Sequence, residues 1–193
     1  HLVDFRTALL RGLASDGGLF MPKGFPRMDK QFLKNIGKKK FWEIALEISK
    51  KFIKDIPERE LKKIAKDAFN FKAPLVKLAE NLYILELFHG PTLAFKDFGA
   101  RFMARLMSHY LKEKGEKLSI IVATSGDTGS AVTQGFYGLP NIKVFVLYPS
   151  KRITELQEKQ MATLGGNIIA LEVKGSFDDC QKLAKQLLND SEL

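Results

Sequence analysis

Lys96 ends the run His89-Gly90-Pro91-Thr92-Leu93-Ala94-Phe95-Lys96, at the head of a predicted helix and among Leu93, Ala94, Phe95 and Phe98. Desolvation by such neighbours and the helix dipole both disfavour an ammonium ion, and a neutral amine is what a Schiff-base lysine requires. The same residue also reads as a surface lysine whose stem covers Phe95. A second loop, Ala123-Thr124-Ser125-Gly126-Asp127-Thr128-Gly129-Ser130-Ala131, joins a β-branched run to a helix. Its glycines permit a sharp turn, the amides at the helix start can bind an anion, and Ser125, Thr128 and Ser130 add hydroxyls. It lacks the Gly-Lys-Ser/Thr of a Walker loop, and Gly126 and Gly129 do not complete G-x-G-x-x-G. Anion binding and simple helix capping both satisfy this pattern.

These loops need rigid elements on either side. Residues 83–88 and 118–123 are short apolar runs that read as strands, the second β-branched throughout its centre and expected to be buried. Helices are expected over 97–113, 130–137, 153–164 and 178–188, with strands over 144–147 and 168–173. Strands alternating with helices predict a parallel sheet covered on both faces, and ligands gather at the carboxyl ends of such strands. The chain ahead of this pattern is helical. Residues 2–10 are apolar-periodic and end at Arg11-Gly12, and Phe41, Trp42, Ile44, Ala45, Ile48 and Phe52 have helical spacing with lysines opposite. Pro57-Glu58-Arg59-Glu60 opens another helix. The predicted organisation is a helical region over 1–78 and an α/β region over 79–193.

Composition narrows the function classes. The chain has 193 residues, 45% of them hydrophobic, a single cysteine and a net charge of +9. That is too apolar for a disordered tail and too poor in cysteine for a disulfide scaffold. No apolar run approaches the roughly 20 residues of a membrane span, and His1-Leu2-Val3-Asp4 does not begin a signal peptide. No membrane association is expected, and the lone Cys180 suits an intracellular protein. The positive charge comes mainly from lysines between positions 34 and 77, interleaved with acids and apolar residues. It reads as solvated helix faces rather than a nucleic-acid footprint, because no stacking platform or recognition motif accompanies it.

The segment from Leu85 to Phe102, built around Phe88-His89-Gly90-Pro91-Thr92-Leu93-Ala94-Phe95-Lys96-Asp97, resembles the cofactor-lysine segment of the bacterial threonine synthase family. The loop from Ala123 to Ala131 resembles that family's next signature. The similarity continues through Phe136-Tyr137-Gly138-Leu139-Pro140-Asn141, Leu147-Tyr148-Pro149, Thr163-Leu164-Gly165-Gly166-Asn167 and Phe177-Asp178-Asp179-Cys180-Gln181. Gly12-Leu13-Ala14-Ser15-Asp16-Gly17-Gly18-Leu19-Phe20-Met21-Pro22 resembles its N-terminal signature, so the likeness runs along nearly the whole chain in order.

The resemblance implies a pyridoxal 5′-phosphate enzyme of the second fold type that converts O-phospho-L-homoserine and water to L-threonine and phosphate in the cytoplasm. Lys96 would hold the cofactor covalently and later shuttle protons, with Phe95 and Asp127 beside the cofactor and no metal. Thr124, Ser125, Gly126, Thr128 and Gly129 would bind the substrate carboxylate, and Thr92 would help to hold a phosphate. An ionised Asp127 would repel both the cofactor's phenolic oxygen and that carboxylate, so it must be turned away, protonated or paired with a cation. His89 is expected to shape the first loop, and Arg101 to be exposed or ion-paired rather than to steer the anionic substrate. His109 and Cys180 are expected to be structural. Family members are much longer, and their cofactor-phosphate loop and pyridine-nitrogen partner lie in segments beyond Leu193. The expectation is therefore an N-terminal fragment, inactive alone, whose partner is the C-terminal part. The same motifs suit a phospho-lyase of the family, and a truncated chain also suits a silent binding domain.

Overall fold

A computed structural model describes residues 2–188 and 190, which divide into two compact units between Lys72 and Ala73. The first unit is helical. Asp4 accepts from the amide of Thr7 and starts α1, Phe5–Arg11, so the helix begins later than the apolar pattern at 2–10 suggests. Asp29 caps α2, Lys30–Asn35, in the same way. The long pair α3, Phe41–Phe52, and α4, Glu58–Ala68, packs through Leu46 on one side and Leu61, Ile64, Ala65 and Ala68 on the other. Phe41 meets Phe69 edge to face at 5.4 Å. Lys50 ties the two helices together by reaching Glu47 and Glu58, and these partners raise its pKa. The ammonium of Lys66 lies 4.7 Å from the Trp42 ring centroid.

The second unit opens with an antiparallel hairpin, β1 (Leu75–Ala79) and β2 (Leu82–Leu85), turning at Asn81 with φ 58°. Residues 83–88 therefore do not extend the parallel sheet as expected. Only the first part of that run is strand, and its partner is the chain just upstream. Every residue of both strands is exposed, leaving an apolar ribbon.

After α5 (Lys96–Lys114) come β3 (Leu118–Ala123), α6 (Asp127–Phe136), β4 (Ile142–Pro149), α7 (Glu155–Ala162), β5 (Ile168–Val173) and α8 (Phe177–Leu188). The three strands form a parallel sheet in the order β3-β4-β5, with Leu118 opposite Ile142 and Val144 opposite Ile168. β4 is the buried strand, because it is paired on both sides. β3, expected to be buried, is at the edge of the three and only half-covered. α8 packs on β3 and β4, α6 on β4 and α7 on β5. Val146, Tyr148 and Met161 form a core beneath α7 with Val122, Ile153 and Ala170 around them. α5 and α6 approach so closely that a Cβ on Gly135 would lie 3.1 Å from the backbone of Ala100, and Arg105 donates to the Gly135 carbonyl at 2.7 Å. Cys180 is fully buried, and burial pushes its thiol pKa up. Among the described residues no helix is long and apolar enough to cross a membrane.

Candidate active site

Helix α5 starts at Lys96 itself, one residue earlier than predicted, with Phe95 as its cap. The Lys96 ammonium lies 4.8 Å from the Phe95 ring centroid, within cation–π range. It also lies 3.8 Å from Oδ2 of Asp127, at the start of α6, with about a third of the lysine side chain exposed. The two loops singled out in the sequence thus meet at one point. Of the three states open to Asp127, the geometry is pairing with a cation, and that cation is Lys96.

The first loop is held from below by Asp97, which is wholly buried. Its Oδ1 accepts from the Thr92 hydroxyl at 2.6 Å and its Oδ2 from the Thr92 amide at 2.9 Å. The Thr92 hydroxyl proton is therefore committed to Asp97. Gly90 is needed here, since a Cβ would lie 2.8 Å from the Asp97 Cβ and overlap its carboxylate. His89 turns aside, with Nε2 2.6 Å from Glu86 Oε2 and its ring against Phe88. Arg101 is buried in α5, so the expectation of an exposed arginine is not met.

The second loop is organised by Thr124, whose hydroxyl oxygen accepts from the amides of Gly126 at 3.0 Å and Gly129 at 2.8 Å. Thr124 and Gly129 are buried, whereas Ser125, Asp127 and Thr128 face outward. Gly126 has φ 138°, open to glycine, and this turn starts α6 at Asp127 rather than at position 130. A Cβ on Gly129 would lie 2.6 Å from Met161 Sδ and would overlap the Thr124 methyl.

Three residues that complete this arrangement have no role assignable from the sequence. Asp97, inside the first motif, is one. The others are on α7: Gln157 donates to Asp127 Oδ1 at 2.7 Å, and Gln160 reaches the Thr92 carbonyl at 3.5 Å. The available signal was Thr154-x-x-Gln157, a capping box in which the Thr154 hydroxyl accepts from the Gln157 amide and Gln157 Oε1 accepts from the Thr154 amide. It marks a helix start and is silent about the other end of the glutamine.

A model of the "Threonine synthase N terminus" matches residues 1–69, and one of the "Pyridoxal-phosphate dependent enzyme" family matches 68–193. The chain is 49% identical to a threonine synthase of Buchnera aphidicola subsp. Acyrthosiphon pisum over 99% of its own length and 45% of the relative's. It is 46% identical to that of Escherichia coli K12, covering 99% of the chain and 44% of the relative. The crystal structure of PLP-bound threonine synthase from Brucella melitensis superposes with a TM-score of 0.93 at 40% identity, over 98% of this chain and 42% of that one. The chain thus spans less than half the length of the curated relatives it matches.

Proposed function

The chain belongs to the pyridoxal-phosphate dependent enzymes, and from that premise we propose that it carries the cofactor lysine of a threonine synthase, which converts O-phospho-L-homoserine and water to L-threonine and phosphate. The observation that carries this reading is the meeting of Lys96 and Asp127, from two separate loops, at 3.8 Å. A cytoplasmic setting is part of the proposal, supported by the free thiol of Cys180.

The residues fit the aldehyde end of the cofactor. A primary amine stands partly open to solvent at a helix start, flanked by the exposed ring of Phe95 and by the carboxylate of Asp127. When bound, pyridoxal phosphate supplies an electron sink for charge developing on the substrate's α-carbon. Lys96 would hold the aldehyde, and its primary amine could carry a proton between adjacent carbons of a bound amino acid. Ser125 and Thr128, exposed at the N-terminus of α6, offer hydroxyls and backbone amides to the substrate carboxylate. Thr124, Gly126 and Gly129 contribute to the same site by fixing the loop that presents those groups. Thr92 acts through Asp97, keeping the first loop folded ahead of Lys96. With its charge balanced by Lys96, Asp127 repels an approaching anion less than it would alone.

The 193 residues alone are expected to release no phosphate from O-phospho-L-homoserine. Mixed with the portion of the Escherichia coli relative that they do not cover, they are expected to form threonine and phosphate in equal amounts. Lys96→Ala should lower that rate at least a thousandfold. Phosphate accompanied by 2-oxobutyrate and ammonia would assign phospho-lyase chemistry instead, and no product from the mixture at all would argue for a binding domain.

A further inference from the structure

Helix α7 touches both loops, and its contact with the second has a chemical consequence. Gln157 uses both ends of its amide. Oε1 accepts from the Thr154 backbone and closes the helix cap, while Nε2 donates to Asp127 Oδ1 at 2.7 Å. The second carboxylate oxygen of Asp127 is then left facing Lys96 at 3.8 Å. An exposed aspartate without such an anchor is free to rotate among staggered side-chain conformations, and exposed ion pairs between mobile groups are weak. The anchor has little freedom itself, because the cap fixes one end of the amide and Gly126 makes room for the other. A Cβ on Gly126 would lie 2.5 Å from the Gln157 carboxamide carbon.

We propose that Gln157 is a positioning residue for the reactive lysine. By holding Asp127 in place, it keeps a carboxylate paired with the Lys96 ammonium, a partner the side chain must leave, and a proton it must give to solvent, before its amine attacks an electrophile. The importance of this restraint rests on reading Lys96 as the cofactor lysine, but its existence does not.

Trace acetylation of the intact chain with acetic anhydride, followed by peptide mass quantification of every lysine, tests the proposal without the cofactor. Asp127→Ala and Gln157→Met are each expected to raise the rate at Lys96 about threefold or more relative to Lys38 and Lys143, which lie outside the site. Because Gln157 acts only through Asp127, the double variant should match Asp127→Ala alone. Gln157→Leu serves as the second variant should Gln157→Met disturb α7. It is a neutral, strong helix former that cannot donate to Asp127, so Lys96 should again react faster. An unchanged Lys96 rate in both Gln157 variants would overturn the proposal. So would a Gln157→Met effect that persists in full on the Asp127→Ala background, which would mark a structural role. Failure of pyridoxal phosphate to label Lys96 would instead count against the cofactor reading and leave this result standing.

Discussion

Gly129→Ala is expected to destabilise the second unit by about 3 kcal/mol and to dismantle the loop that faces Lys96. The added methyl would meet the methyl of Thr124 and the sulfur of Met161, which are 1% and 0% exposed and have no solvent to retreat into. Overpacking of this kind costs about 1–3 kcal/mol. Moving Thr124 also loosens its hydroxyl from the amides of Gly126 and Gly129, at about 1 kcal/mol for each hydrogen bond. Gly99→Ala is the matched control. Nothing lies within 4 Å of its added Cβ, and it is exposed within α5, so the same substitution should stabilise by about 0.5–1 kcal/mol. Urea titration of both variants checks the pair. A Gly129→Ala midpoint equal to that of the parent chain would mean that the loop is not packed as described.

The second large effect is at Asp97. Asp97→Ala removes the acceptor for both the amide and the hydroxyl of buried Thr92, and leaving two buried donors without partners costs about 1–3 kcal/mol each. The aspartate is also in the first turn of α5, where a negative charge is favoured by the helix dipole. A total loss of about 3–5 kcal/mol is therefore expected, with the first loop and Lys96 losing their fixed relation. Thr92→Val should be milder, since it keeps the amide bond to Asp97 and removes only the hydroxyl. Denaturant unfolding of the two variants should give that order, and the reverse order would mean that the hydroxyl, not the carboxylate, holds the loop.

What was legible in the sequence follows from how local the physics is. α3 and α4 were readable because their apolar positions repeat with the helical period, and β4 and β5 because short apolar runs stand between helices. The hairpin was not foreseen. Leu75–Ala79 includes Lys77, follows Pro74, and becomes a strand only through its pairing with Leu82–Leu85. The burial assigned to β3 failed for a related reason, since a β-branched run reports strand preference and not how many neighbours the strand has. Within the site, Lys96 and the Ser125–Gly129 loop were visible as motifs. Their junction was not, because Asp127 could have paired with any cation. Gln157 and Gln160 act across the tertiary structure, with no period to detect along the chain, and Asp97 acts five residues back through a loop closure that its place in the motif does not disclose. The resemblance places Thr124 among the substrate-binding residues, and only the fold reveals that its hydroxyl is bonded to its own loop.

The most direct test of the central claim is titration of the 193-residue chain with pyridoxal phosphate, followed by borohydride reduction and peptide mass mapping. The site described here predicts a pyridoxyl adduct predominantly on Lys96, out of all the lysines the chain exposes. Labelling scattered over the lysines between positions 38 and 63, with Lys96 no more reactive than the rest, would contradict it.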